Sequence, residues 1–483
     1  MTSTIEIPVW LAVVAGLLAL WAALGRLLVP SVRWLIRRRI ERALEEVNPS
    51  LQIRLQPFKF TQRKTLIDRL VYDRDVMETA DRLAGEWEMP RDVVQAKVAR
   101  YAKEIVPSFN AWAYFRWGYS IARWIARTLY RVRLGSIDEA ALRSIPANAS
   151  VVFVMNHRSN MDYILVSYLA MERTALSYAV GEWARIWPLE QLIRSMGAYF
   201  VRRKSRNPLY RKVLSRYVHL ATREGVTQAI YPEGGLSRDG SLGAPRLGLL
   251  DYMLRGFDPD DDADVVFVPV GINYDRVLED RTLLLETDPE AVGKKGLAAV
   301  WATIAFWSRQ VWLRLRGDWY RFGYACVNFG GPLSASDFFH SRNEDPRRLG
   351  REERFASVGV LAEDLMGRVA EIIPVLPVSL VATVLLADPE RTWSQLELEV
   401  AVQRQLELRE AAGEPVYVPR KDRAYAVEVG IRMLALRHVL DLRDGLYRVR
   451  QEDLGLLAYY ANAISGKTGD RILIGRTPSR VRA

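Results

Sequence analysis

"VVFVMNHRSNMDYILVSYL", residues 151–169, runs an apolar, β-branched stretch straight into a turn holding one histidine and one aspartate. The chain has only four histidines among 483 residues, and this one stands five positions ahead of an acid. A fixed offset between a histidine and an acid arises by chance roughly half the time at this composition, so the pair means little without its context. Five residues on a helix turn through about 140°, which rules out an ordinary helical pairing of the two. His157 is therefore expected in a strand-to-helix turn, with Ser159 or Asn160 capping and Asp162 in the first helical turns. From there Asp162 can reach back to one imidazole nitrogen and fix the tautomer. The other nitrogen is left as a general base.

Outward from this stretch, short apolar strands alternate with amphipathic segments from about residue 145. The pattern predicts strands at 150–155, 176–180, 198–202, 227–231, 265–272 and 323–329, and so an α/β domain with a mostly parallel central sheet. In such sheets ligands sit at the carboxyl ends of the strands. Helical patterns flank the domain on both sides. The expected organisation is a membrane anchor helix (1–30), an N-terminal helical, partly interfacial region (31–140), the α/β catalytic domain (141–340) and a C-terminal helical domain (341–483). The apolar segment 371–390 contains two prolines, which favours a buried or membrane-touching hairpin over a span.

The anchor rests on "IPVWLAVVAGLLALWAALG", nineteen uncharged residues from 7 to 25. As a helix it measures about 28 Å, close to the hydrocarbon thickness, while Pro8 and Pro30 leave open a half-inserted helix lying in the interface. Arg26, Arg33, Arg37, Arg38 and Arg39 follow it, which places the body of the protein on the cytoplasmic face of the cell membrane. Two further stretches, 111–134 and 297–317, interleave aromatics with arginine, which fits either interfacial helices or packed helices that use the aromatics as core.

A net charge of +11 and a pI near 9.6 call for an anionic partner. The 68 basic residues comprise 58 arginines and ten lysines. Arginine suits bidentate contacts to phosphate, and anionic phospholipid is the natural surface. No nucleic-acid motif is present. A single cysteine, Cys326, excludes an internal disulfide and a thiolate zinc site. "GKT" at 466–468 lacks the upstream glycine of a phosphate loop, and "DPDDDAD" at 258–264 lacks the glycine and closing glutamate of a calcium loop.

Three more stretches complete the candidate site. "MGAYFVRRKSR" (196–206) ends a strand in Arg202, Arg203, Lys204 and Arg206, cations suited to a phosphate. "AIYPEGGLSRDG" (229–240) ends a strand in Glu233, Gly234 and Gly235, then Ser237 and Arg238. Paired glycines let backbone N–H groups approach an anionic oxygen, while Glu233 can either orient substrate hydroxyls or structure the loop. "VVFVPVGINYD" (265–275) is a buried strand interrupted by Pro269.

In this order the four stretches resemble the glycerolipid acyltransferase superfamily, with its H-x4-D, G-x-x-x-x-R, E-G and strand-proline blocks. "HRSNMDY", "GAYFVRR" and "YPEGGLSR" are most similar to the glycerol-3-phosphate and dihydroxyacetone-phosphate acyltransferase branch, with HRS-x-MDY, GAFFIRR and F-x-EGGRSR. "IIPVLPVSLVATVLL" and "VNFGGPLS" (327–334) extend the likeness, which covers roughly 145–390. Leu236 departs from the branch, standing where it has the first arginine of GGRSR.

The resemblance implies transfer of a fatty acyl group from acyl-CoA or acyl-carrier protein to the sn-1 hydroxyl of glycerol 3-phosphate. His157 and Asp162 would be catalytic. Arg202, Arg203, Arg238 and Arg158 would hold the acceptor phosphate, with Glu233 and Ser237 completing the substrate site. N–H groups near Gly234 and Gly235 would meet the oxyanion. No metal or cofactor beyond the acyl carrier is expected. The sequence leaves open a 1-acylglycerol 3-phosphate or other lysolipid acceptor, a non-catalytic basic membrane-binding protein, and the oligomeric state.

Overall fold

Among the residues that the computed structural model describes (63–108, 118–170, 176–180, 190, 194, 197–202, 205–285 and 321–465), eight strands share one sheet. They are β1 (Arg131–Ile137), β2 (Ser150–Met155), β3 (Ser177–Val180), β4 (Tyr199–Phe200), β5 (Gln228–Ile230), β6 (Val265–Tyr274), β7 (Tyr324–Phe329) and β8 (Leu333–Ser334). Their order is β1-β7-β6-β2-β5-β3-β4, with β8 also beside β6. Strands β2 to β6 run parallel to one another, whereas β7 opposes β6 and carries β1 parallel to itself. The sheet is thus mixed but mostly parallel.

Composition explains the centre. Every residue of β2 and β6 is buried, as expected of strands covered on both faces and rich in valine. Pro269 does not interrupt β6, which runs unbroken through it. It sits where the neighbour on one flank changes from β8 (at Val266 and Phe267) to β7 (from Val270), so its missing N–H leaves little unpaired. One core joins Val152, Val154 and Phe267 to the helices Pro208–Arg223, Gly248–Leu254 and Arg351–Glu371 and to the N-terminal helices Arg63–Val71, Arg74–Glu86 and Arg91–Ile105. The helix Pro208–Arg223 begins where it does because Asn207 accepts the N–H of Tyr210 and Pro208 occupies the first turn.

Three expectations need correction. The segment 111–134 is not one interfacial helix. Its described part is a helix, Tyr119–Leu129, followed by strand β1, whose backbone groups are paired by β7. The sheet therefore starts ten residues before the expected boundary at 141. That helix packs Ala122 and Ala126 on Tyr168 and leaves Trp124 and Ile121 exposed.

The C-terminal region is not purely helical either. A three-stranded sheet joins β9 (Trp393–Ser394), β10 (Leu440–Arg443) and β11 (Leu446–Val449). Asp444 and Gly445, both at positive φ, form the tight turn of its hairpin, a D-G signal legible in the sequence.

The segment 371–390 is buried, one of its two expected settings, but it forms a helix, Pro377–Ala387, rather than a hairpin. No described helix is long and apolar enough to cross a membrane. The expected anchor at 7–25 and the stretch 297–317 lie outside the described residues.

Asp275 clasps the sheet to this C-terminal helix. It accepts the N–H of Tyr324 at 2.8 Å and that of Val378 at 3.1 Å. Burial pushes its carboxyl up to about 7. The folded chain then keeps a proton that the unfolded chain releases above its ordinary value of 3.8, so stability falls as pH rises through that window. Thermal midpoints between pH 4 and 7 should decline in wild type. Asp275→Asn should show a shallower decline, losing a contribution of at most about 1.4 kcal/mol per pH unit. An unchanged slope in the variant would remove Asp275 as its source.

Candidate active site

The turn after β2 is organised by one carboxylate. Asp162 Oδ2 lies 2.9 Å from His157 Nδ1 and accepts the N–H groups of Arg158 at 2.7 Å and Ser159 at 3.0 Å. Its other oxygen accepts the Tyr274 hydroxyl at 2.7 Å. His157 and Asp162 are both buried. Because the carboxylate only accepts, Nδ1 carries the ring hydrogen and Nε2 is the basic nitrogen. The imidazole stacks on Tyr231 with centroids 4.1 Å apart, and Tyr163 meets it edge-on with its hydroxyl 3.5 Å from Nε2. Beyond Tyr163 and Tyr231 lies a cavity of about 210 Å³.

The loop after β5 pins the histidine from behind. Glu233 accepts the His157 N–H at 2.7 Å and the Gly243 N–H at 2.9 Å, and Ser237 donates its N–H to the His157 carbonyl at 2.9 Å. Of its two expected roles, Glu233 thus takes the structural one. Burial raises its carboxyl to about 7. Ser237 donates its hydroxyl to the Ser241 carbonyl at 2.7 Å, which closes the loop on itself.

The remaining candidates part company. Gly234 gives its N–H to the Tyr231 carbonyl and is no oxyanion donor. Gly235 makes no such bond among the described residues and keeps that capacity. Arg158 is buried, donates to the Gly240 carbonyl and lies 4.6 Å over the Tyr459 ring, with Nε and Nη2 lacking described partners. It braces the turn and does not face the cavity. Arg202 lines the cavity but donates Nε and Nη2 to Glu104 at 2.7 and 2.6 Å. Arg238 is exposed and outside the cavity lining. Arg203 lies outside the described residues. Among the described residues no group of three or more acids, histidines or cysteines could hold a metal ion. Cys326 is buried in β7, where burial pushes its thiol up to about 12.

Residues 137–273 match the family model described as acyltransferase, and residues 314–465 match the glycerol-3-phosphate acyltransferase C-terminal region. The chain thus carries an acyltransferase region followed by a glycerol-3-phosphate acyltransferase C-terminal region. Proteins named glycerol-3-phosphate acyltransferase from Pseudoalteromonas atlantica and Pseudomonas putida are 27% and 28% identical to it, over 83% and 84% of this chain and 50% and 49% of their own. One from Pseudomonas entomophila is 29% identical over 84% of this chain and 49% of its own. The chain spans about half the length of the curated relatives it matches.

Sequence reasoning missed several residues of this site. Tyr274 ends β6 and holds Asp162, and its only signal was its place at a strand's carboxyl end. Glu279 accepts the Ser159 hydroxyl at 2.7 Å and the Asn160 N–H at 3.3 Å. The C-terminal helix Leu454–Asn462 was missed altogether. Its Tyr459 supports Arg158, Asn462 donates to the Asp239 carbonyl at 3.0 Å, and a Cβ at Gly240 would meet the Tyr459 carbonyl.

Tyr274→Phe should leave the fold intact and remove the hydroxyl donor to Asp162 Oδ1. A bond to a charged group contributes about 1.5–3 kcal/mol, so acyl transfer should fall by roughly tenfold to a hundredfold. Turnover should fall while the Michaelis constants hold. A wild-type rate in the variant would show that Asp162 needs no such support.

Proposed function

We propose that this chain transfers a fatty acyl group from acyl-CoA or acyl-carrier protein to the sn-1 hydroxyl of glycerol 3-phosphate at the cytoplasmic face of the cell membrane, giving lysophosphatidate. The observation that carries this reading is the His157–Asp162 pair at the end of β2, 2.9 Å apart and beside an arginine-lined cavity. His157 Nε2 takes the proton of the acceptor hydroxyl, and Asp162 stabilises the imidazolium that forms. The alkoxide oxygen bonds to the thioester carbonyl, and the carbon–sulfur bond then breaks. The thiolate leaves with the proton that His157 returns. A covalent route through cysteine is disfavoured by the buried, un-ionised Cys326. The Gly235 N–H is the donor best suited to the tetrahedral oxyanion.

The membrane part of the proposal rests on the apolar stretch 7–25 and on Trp124 and Ile121, exposed on a helix that also carries Arg123 and Arg127. Leu236 favours a second reading, a lysolipid acceptor, since one cation of the branch motif is absent there. The test is thiol release from a palmitoyl thioester with purified chain and either glycerol 3-phosphate or lysophosphatidate. Glycerol 3-phosphate should be the better acceptor. His157→Ala and Asp162→Asn should each lower transfer at least about a hundredfold. Near-normal turnover in His157→Ala would falsify the mechanism, and a wild-type preference for the lysolipid would replace the acceptor.

A further inference from the structure

The cavity beside Tyr163 and Tyr231 has, besides Arg202, two cations that no sequence motif singled out. Arg202, Arg211 and Arg246 line it, and no carboxylate does among the described residues. The three guanidiniums are not equivalent. Arg202 is neutralised by Glu104 and held over the rings of Tyr101 and Tyr210. Arg211 is fixed through Nε, 2.9 Å from the Ser205 carbonyl, which leaves its two terminal nitrogens for a ligand. Arg246 has no side-chain hydrogen bond or ion pair among the described residues, while its N–H is anchored on the Pro232 carbonyl at 2.8 Å.

Arg246 reaches the cavity across Gly234. A Cβ at position 234 would lie 2.7 Å from Arg246 Cδ, and Gly234 has φ +69°. Glycine is needed there both for the left-handed turn and to let the arginine pass. The residue before Gly234, Glu233, holds the His157 N–H, so this guanidinium packs against the neighbour of the histidine's anchor. In glycerol 3-phosphate the reacting oxygen and the phosphorus are five bonds of about 1.5 Å apart. The phosphate must therefore be held within a side chain or two of His157. At about 210 Å³ the cavity is smaller than the roughly 300–1,000 Å³ of sites for drug-sized ligands, which suits a three-carbon phosphate. Leu214, Ile230 and Leu249 supply an apolar wall for its carbons.

We infer that Arg246, with Arg211, binds the phosphate monoester of the acceptor, and that Arg246 supplies the cation that Leu236 does not. The inference rests on glycerol 3-phosphate being the acceptor, a point the wild-type chain decides separately. With the full chain and a palmitoyl thioester, Arg246→Ala and Arg211→Gln should each raise the KM for glycerol 3-phosphate by roughly tenfold to a hundredfold. The donor's KM should stay within about twofold. Arg246→Lys should recover most of the loss, because an ammonium still binds phosphate as a point charge. Inorganic phosphate should compete with glycerol 3-phosphate in wild type and weaken in parallel in the variants. If wild type does not acylate glycerol 3-phosphate, the acceptor assignment fails and this inference with it. If wild type does and both variants keep its KM, the assignment stands and the inference is overturned. Should Arg246→Ala not fold by circular dichroism, Arg246→Gln and Arg211→Gln carry the same expectation, and a wild-type KM in both overturns it.

Discussion

A single buried carboxylate holds the turn after β2 together. Asp162 accepts from His157, from the backbone of Arg158 and Ser159, and from the Tyr274 hydroxyl. Taking an ionised carboxylate out of water costs several kcal/mol after relaxation, and hydrogen bonds to a charged group return about 1.5–3 kcal/mol each. Four donors therefore hold it in place. The same bonds tie the turn after β2, the helix Met161–Ala170 and the end of β6 into one unit. Orientation of the histidine and integrity of the turn are consequently one constraint, which is why an aspartate five residues on can serve as its partner.

Arginine dominates the basic residues, yet much of it is engaged within the fold. Arg202 pairs with Glu104, Arg437 with Asp280 and Arg354 with Asp251, while the buried Arg158 rests on Tyr459. Such planar, multiply bonded guanidiniums behave as struts between elements far apart in sequence. A positive net charge favours anionic partners in general at long range. Local recognition falls to the few guanidiniums whose donors are not already taken, and the motif position Arg202 is not one of these.

The C-terminal region contributes to the site without touching its reacting atoms. Tyr459 supports Arg158 and packs its carbonyl against Gly240, and Asn462 holds the loop that follows the paired glycines. Asp275 fastens the other side of the sheet to the helix Pro377–Ala387. The two regions matched by separate family models therefore share load-carrying contacts around one turn.

The strand-turn-helix at 150–170 was legible because local chemistry dictates it: valines that need both faces covered, then capping residues, then helical spacing. The same holds for most strands of the sheet and for the pairing of His157 with Asp162. β1 was not legible, since an arginine-rich run at a sheet edge has no strong period of its own and becomes a strand only when β7 offers it backbone partners. The D-G hairpin at 444–445 was legible and went unread among helical patterns. Charge pairing was beyond reach, because Glu104 and Arg202 stand 98 residues apart and nothing local couples them. By itself the sequence determined which residues could do acid–base chemistry and on what kind of scaffold. Only the tertiary structure decided which arginines remain free to meet a ligand, because a guanidinium's availability depends on the partners that folding brings to it.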